Sequence, residues 1–64
     1  MQAIYDQLRA SPPADPDASA GKGGVHSAYR TGFRHPTRPA RYVRNSHAYA
    51  GWAAGVDNAR ATNN

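Results

Sequence analysis

The sequence predicts an all-α fold: a small two-helix hairpin with a Pro-rich connector, preceded by a short N-terminal helix and a flexible linker. Three observations carry this reading. Val25, Tyr29 and Phe33 stand four apart, Gly51, Gly55 and Ala59 repeat that interval, and Pro36 and Pro39 fall between the two runs. A spacing of four keeps side chains on one face of a helix, whereas proline cannot continue one.

Chain length narrows the possibilities first. The 64 residues hold one small domain, and such a chain buries only about 60% of the surface it exposes when unfolded, which argues against a large enclosed pocket. Without Cys, neither disulfides nor thiolate metal sites reinforce the fold. Much of the 39% hydrophobic content is Ala, so the core is thin and folding together with a partner is plausible. A membrane span needs about 18 consecutive apolar residues, and no such run occurs. The N-terminus also lacks a basic start with a long apolar stretch, so a cytoplasmic protein is expected.

The elements follow in chain order. In residues 1–10, Ile4 and Leu8 stand four apart beside Tyr5, enough for two turns of amphipathic helix, which Ser11, Pro12 and Pro13 then stop. Residues 11–24 offer Pro, Gly and small residues without a large apolar group, and read as a flexible linker. Residues 25–60 form the basic hairpin. Its first helix is expected to be capped by His26 or Ser27 and to end before Pro36; its second starts near Asn45 or Ser46 and runs to about Arg60. The tail, residues 61–64, is expected to fray.

Two glycines flank the single Trp inside the second helix, at a cost of about 1 kcal/mol each relative to Ala. Close packing offsets that cost. If Gly51 and Gly55 face Ala28 and Gly32, the helix backbones approach closely and bury Trp52 and Phe33, at about 1.5 to 3 kcal/mol per side chain. Gly32, Phe33, Gly51, Trp52 and Gly55 are therefore the expected packing residues. The competing use of such glycines is to let a nucleic-acid backbone or a protein surface reach the helix.

Charge is distributed unevenly. All four acids lie near the ends, at Asp6, Asp15, Asp17 and Asp57, while Lys22, Arg30, Arg34, Arg38, Arg41 and Arg44 fill the middle with His26, His35 and His47. Arg favours flat, bidentate contact with phosphate and stacking on bases. Interleaved aromatics extend the pattern, so the candidate nucleic-acid-binding residues are Arg30, Arg34, Arg38, Arg41, Arg44 and Lys22, with Tyr29, Tyr42 or His35 available for stacking. A merely solvated basic face and an acidic protein partner are the alternatives. Such a pattern indicates affinity for polyanions, not sequence specificity.

Catalytic signals are missing. No acid pairs with a nucleophile or base, and no G-x-S-x-G or Walker-type loop occurs. The stretch GKGG at 21–24 has no Ser or Thr after Lys22, so a linker is the better reading. The histidines, nine and twelve residues apart with no Cys or nearby acid, fit no metal pattern. A non-enzymatic protein with no cofactor, no metal, no membrane contact and no small-molecule substrate is expected.

Two short motifs add a resemblance. AYRTG at 28–32 and GWAAG at 51–55 resemble the first-helix G-Y-x-A-G and second-helix G-W-x-x-G of the bacterial ribosome modulation factor family, in the same order and joined by a basic, Pro-containing connector ending at Arg44. Tyr29, Gly32, Gly51, Trp52 and Gly55 match, and Ala28 replaces a Gly. The chain departs from the family in lacking a Cys-Pro-Tyr connector and a highly basic N-terminus. The resemblance spans about residues 25–60. It implies a two-helix protein that binds the small ribosomal subunit, silences translation in slow growth and favours ribosome dimers, with ribosomal RNA as partner. The alternative from another class is an inhibitor or adaptor, of the kind phages encode, that docks on a nucleic-acid-handling protein through Ile4, Tyr5 and Leu8.

Overall fold

In the computed structural model, residues 3–13 and 24–63 are described, and they form three α-helices: α1 (Ala3–Ala10), α2 (Gly24–Arg34) and α3 (His47–Asn63). No strand occurs among the described residues, so the chain is all-α. Lys22 and most of the expected linker lie outside the described residues. Helix α3 is the common support, with both α2 and α1 packed against it.

Glycine sets the approach of α2 to α3. A Cβ built on Gly55 would overlap the carbonyl oxygen of Tyr29, and one on Gly32 would overlap that of Trp52. At Gly51 the same atom would come within 2.6 Å of the Val25 carbonyl oxygen. Only hydrogen fits at these positions. Each of the three glycines is buried.

What the close approach encloses differs from the expectation. Trp52 and Phe33 are half-buried, whereas the fully enclosed large side chain is Tyr29, with Ala28, Ala54, Val56 and Ala59 around it in the core. The backbone contact at Gly55 places α3 directly over Tyr29, so the ring at the crossing point is covered and those beside it are partly covered. Phe33 stacks on Tyr29 at 6.1 Å, and Tyr49 lies tilted against Trp52 at 5.4 Å, within the range of favourable aromatic pairs.

The helix ends have local causes. Ser46 caps α3: its carbonyl accepts from Ala50 N–H at 3.3 Å and its Oγ from Tyr49 N–H at 3.1 Å, which satisfies a donor otherwise orphaned at the first turn. The helix runs to Asn63, and Thr62 Oγ1 donates to the Asn58 carbonyl. Helix α2 begins at Gly24, so neither His26 nor Ser27 caps it. Gly24 takes φ +49°, a left-handed conformation that glycine adopts without a Cβ penalty. Before Pro36, the His35 N–H still bonds the Thr31 carbonyl at 3.0 Å.

Gly55→Ala tests the approach. Helix propensity alone would make that change stabilising by about 1 kcal/mol, but the overlap with Tyr29 reverses the sign, and a loss of about 1 to 3 kcal/mol is expected in denaturant unfolding. A variant as stable as the parent would show that the two helices do not touch there.

Candidate nucleic-acid interface and the junction that supports it

The cationic residues sort by position. Arg30 is half-buried on α2, and Arg34 is exposed at its last turn. In the connector, residues 35–46, the side chains of His35, Arg38, Arg41 and Arg44 are exposed, and Tyr42 is half-buried. His47 follows, exposed at the start of α3. No Asp or Glu occurs between residues 18 and 56, so the local field over this stretch is positive.

Although it has no helix of its own, the connector is anchored. Arg38 N–H bonds the His35 carbonyl at 3.2 Å. At the far end, the Val43 carbonyl accepts from both the N–H and the hydroxyl of Ser46, at 2.9 and 2.6 Å. Ser46 therefore ties the turn beside Arg44 to the first turn of α3. Val43 itself is 75% exposed.

One expected interface residue is misplaced. Tyr29 has no exposed surface, so its ring is closed to bases, and its oxygen accepts a hydrogen bond from Asn58 Nδ2 at 2.8 Å. The tyrosine belongs to the core because its spacing from Val25 and Phe33 puts it on the face that α3 covers.

Asn58, which the sequence did not single out, is the polar junction of the fold. It is 8% exposed. Its amide donates to the Tyr29 oxygen and to the Leu8 carbonyl at 2.9 Å, while its Oδ1 accepts from Arg9 at 3.0 Å. Both donors and the carbonyl oxygen are thus satisfied, each by a group of the matching kind. One side chain of α3 holds α2 and α1 together. Sequence offers a faint signal for it: Asn58 lies one position from Ala59 at the end of the small-residue ridge.

A second polar contact closes α1 on α3, where the Tyr5 hydroxyl donates to the Asp57 carboxylate. That hydrogen bond raises the Tyr5 pKa above 10.0, with burial and the Asp57 charge acting in the same direction. Asp57 of α3 is thus the acceptor for α1. Helix α1, at eight residues, is too short to persist alone, and its own Asp6 and Arg9 complement its dipole only modestly. A shallow apolar groove of about 630 Å³, lined by Ile4, Leu8, Pro13, Val25 and His26, opens beside it.

Among the described residues, no group of three or more His, Asp or Glu side chains could hold a metal, and no helix is long and apolar enough to cross a membrane. Comparison of the chain with protein-family models, curated proteins and solved structures finds no match in any of the three.

Asn58→Ala leaves the buried Tyr29 oxygen and the Leu8 carbonyl without their donor, and is expected to cost about 1 to 3 kcal/mol in thermal or denaturant unfolding. In the double variant with Tyr29→Phe the two losses should fall short of additive, because they share one hydrogen bond. The α1 contact has its own pH signature. Tyr5 stabilises in its neutral form with a raised folded-state pKa, so its contribution is whole below pH 10.0 and disappears as pH rises through the raised value. Circular dichroism should show an alkaline loss of α1 that Tyr5→Phe removes.

Proposed function

We propose that the protein is a small, non-enzymatic RNA-binding protein of the cytoplasm that docks on the small ribosomal subunit and down-regulates translation. The observation that carries this reading is the anchored connector, which exposes His35, Arg38, Arg41 and Arg44 on a stretch with no carboxylate from 18 to 56. Guanidinium groups in that setting suit phosphate, bidentately and without competition from neighbouring acids. The unit that grips is α2, connector and α3, taken together as a basic helical hairpin, and α1 steadies it.

The ribosome enters through the likeness of residues 28–32 and 51–55 to the ribosome modulation factor family. Support for that likeness is physical: its Gly positions coincide with Gly32, Gly51 and Gly55, where only hydrogen fits between the helices. The adaptor alternative is less favoured, because Tyr5, the Leu8 carbonyl and Arg9 are directed at Asp57 and Asn58 of the same chain.

Co-sedimentation with ribosomal particles tests the reading. The tagged protein should pellet with the small subunit at low salt and dissociate as salt rises, with a logarithmic slope of about 0.9 per phosphate neutralised. Replacing Arg38, Arg41 and Arg44 by Ala together should reduce that slope by about three. Association that ignores salt would refute the proposal.

A further inference from the structure

We infer that the cationic connector takes double-helical nucleic acid by its phosphate backbones, and not single strands by their bases; the inference rests on the nucleic-acid reading above. Proteins that hold single strands stack successive bases on a row of exposed rings, each base contributing about 1 to 3 kcal/mol. This chain has no such row. Of its six Phe, Tyr and Trp rings, none is exposed. Tyr29 is enclosed and stacked with Phe33, Tyr49 packs on Trp52, and Tyr5 is held by Asp57. Only Tyr42 is left near the cations, and it is half-buried.

The other exposed candidates do not replace those rings. The imidazoles of His35 and His47 stand at opposite ends of the connector, twelve residues apart in sequence. The large apolar side chain that the connector does expose, Val43, is aliphatic and has no π face for a base. What this surface offers is guanidinium, at Arg38, Arg41 and Arg44.

A duplex makes better use of a short cationic patch. Its two strands together present one charge per about 1.7 Å of axis, twice the density of either strand alone, so three neighbouring cations reach more phosphates. Rigidity points the same way. The hydrogen bonds at His35, Val43 and Ser46 fix the connector's turns before any partner arrives, and a preformed surface suits a stiff, regular backbone.

Fluorescence anisotropy with one short sequence in four forms, single-stranded and duplex, as RNA and as DNA, tests this on the full chain. Both duplexes, or the RNA duplex alone, should bind at least about tenfold more tightly than the single strands, with the steeper salt dependence; the two duplex arms separate A-form from B-form preference. Single strands bound as tightly as duplexes would overturn this inference and leave the nucleic-acid reading standing. Absence of salt-sensitive binding to all four would overturn both. A second measurement guards the first: Tyr42→Leu should leave duplex affinity within about twofold, and a loss of tenfold in a variant whose circular dichroism is unchanged would mean that a base stacks there.

Discussion

Two short helices can enclose a tyrosine only if their backbones come closer than side chains normally permit, and in this chain the missing Cβ atoms of Gly32, Gly51 and Gly55 make that possible. The alternative means of stabilising so small a domain are absent: there is no Cys, and much of the apolar content is Ala. Small side chains are therefore put to a geometric use. Every contact atom of a closely approached backbone contributes dispersion, and the ring at the crossing point leaves water entirely. The propensity lost at each glycine is smaller than the overlap that a methyl group would create.

Close packing alone would leave the Tyr29 oxygen stranded in the core. Asn58 resolves this, and in doing so it fixes the position of α1, since the amide that donates to Tyr29 also donates to Leu8 and accepts from Arg9. A fully satisfied polar centre specifies one arrangement of three helices where an apolar contact would tolerate several. Helix α1 thus has no independent existence as an element. It is ordered by Asp57 and Asn58, two neighbouring residues of α3.

The parts legible in the sequence were those governed by periodicity and proline. The four-residue spacings fall within α2 and α3, and residues 35–46 between them, which include Pro36 and Pro39, are not helical. Less legible was anything decided by what faces a helix from elsewhere. Tyr29 carries no mark distinguishing a base-stacking ring from a core ring, and α3 is covered from two sides, with buried residues at 51, 54, 55, 56, 58 and 59. At about 3.6 residues per turn these wrap roughly half the helix, so no narrow stripe announces the core. The cationic block is visible in the sequence because charge needs no partner in the fold to be read, and of the cationic residues singled out only Lys22 falls outside the described structure.

Drawing the rings wholly or partly into the packing and exposing the guanidiniums are linked consequences of one arrangement. The helices need their aromatics for cohesion, since little else in the chain has comparable apolar area. Under the proposed nucleic-acid reading, recognition then falls to the connector, which carries the exposed Arg38, Arg41 and Arg44. A loop carrying recognition must still be held, or the ordering of its long side chains opposes binding. Ser46 meets this requirement with one residue: it bonds Val43 on the connector side and caps Tyr49 on the helix side, so Arg44 is attached through a single turn to the scaffold that the glycines build. The exposed connector is therefore tied by hydrogen bonds to α2 and α3, although it contains no regular structure.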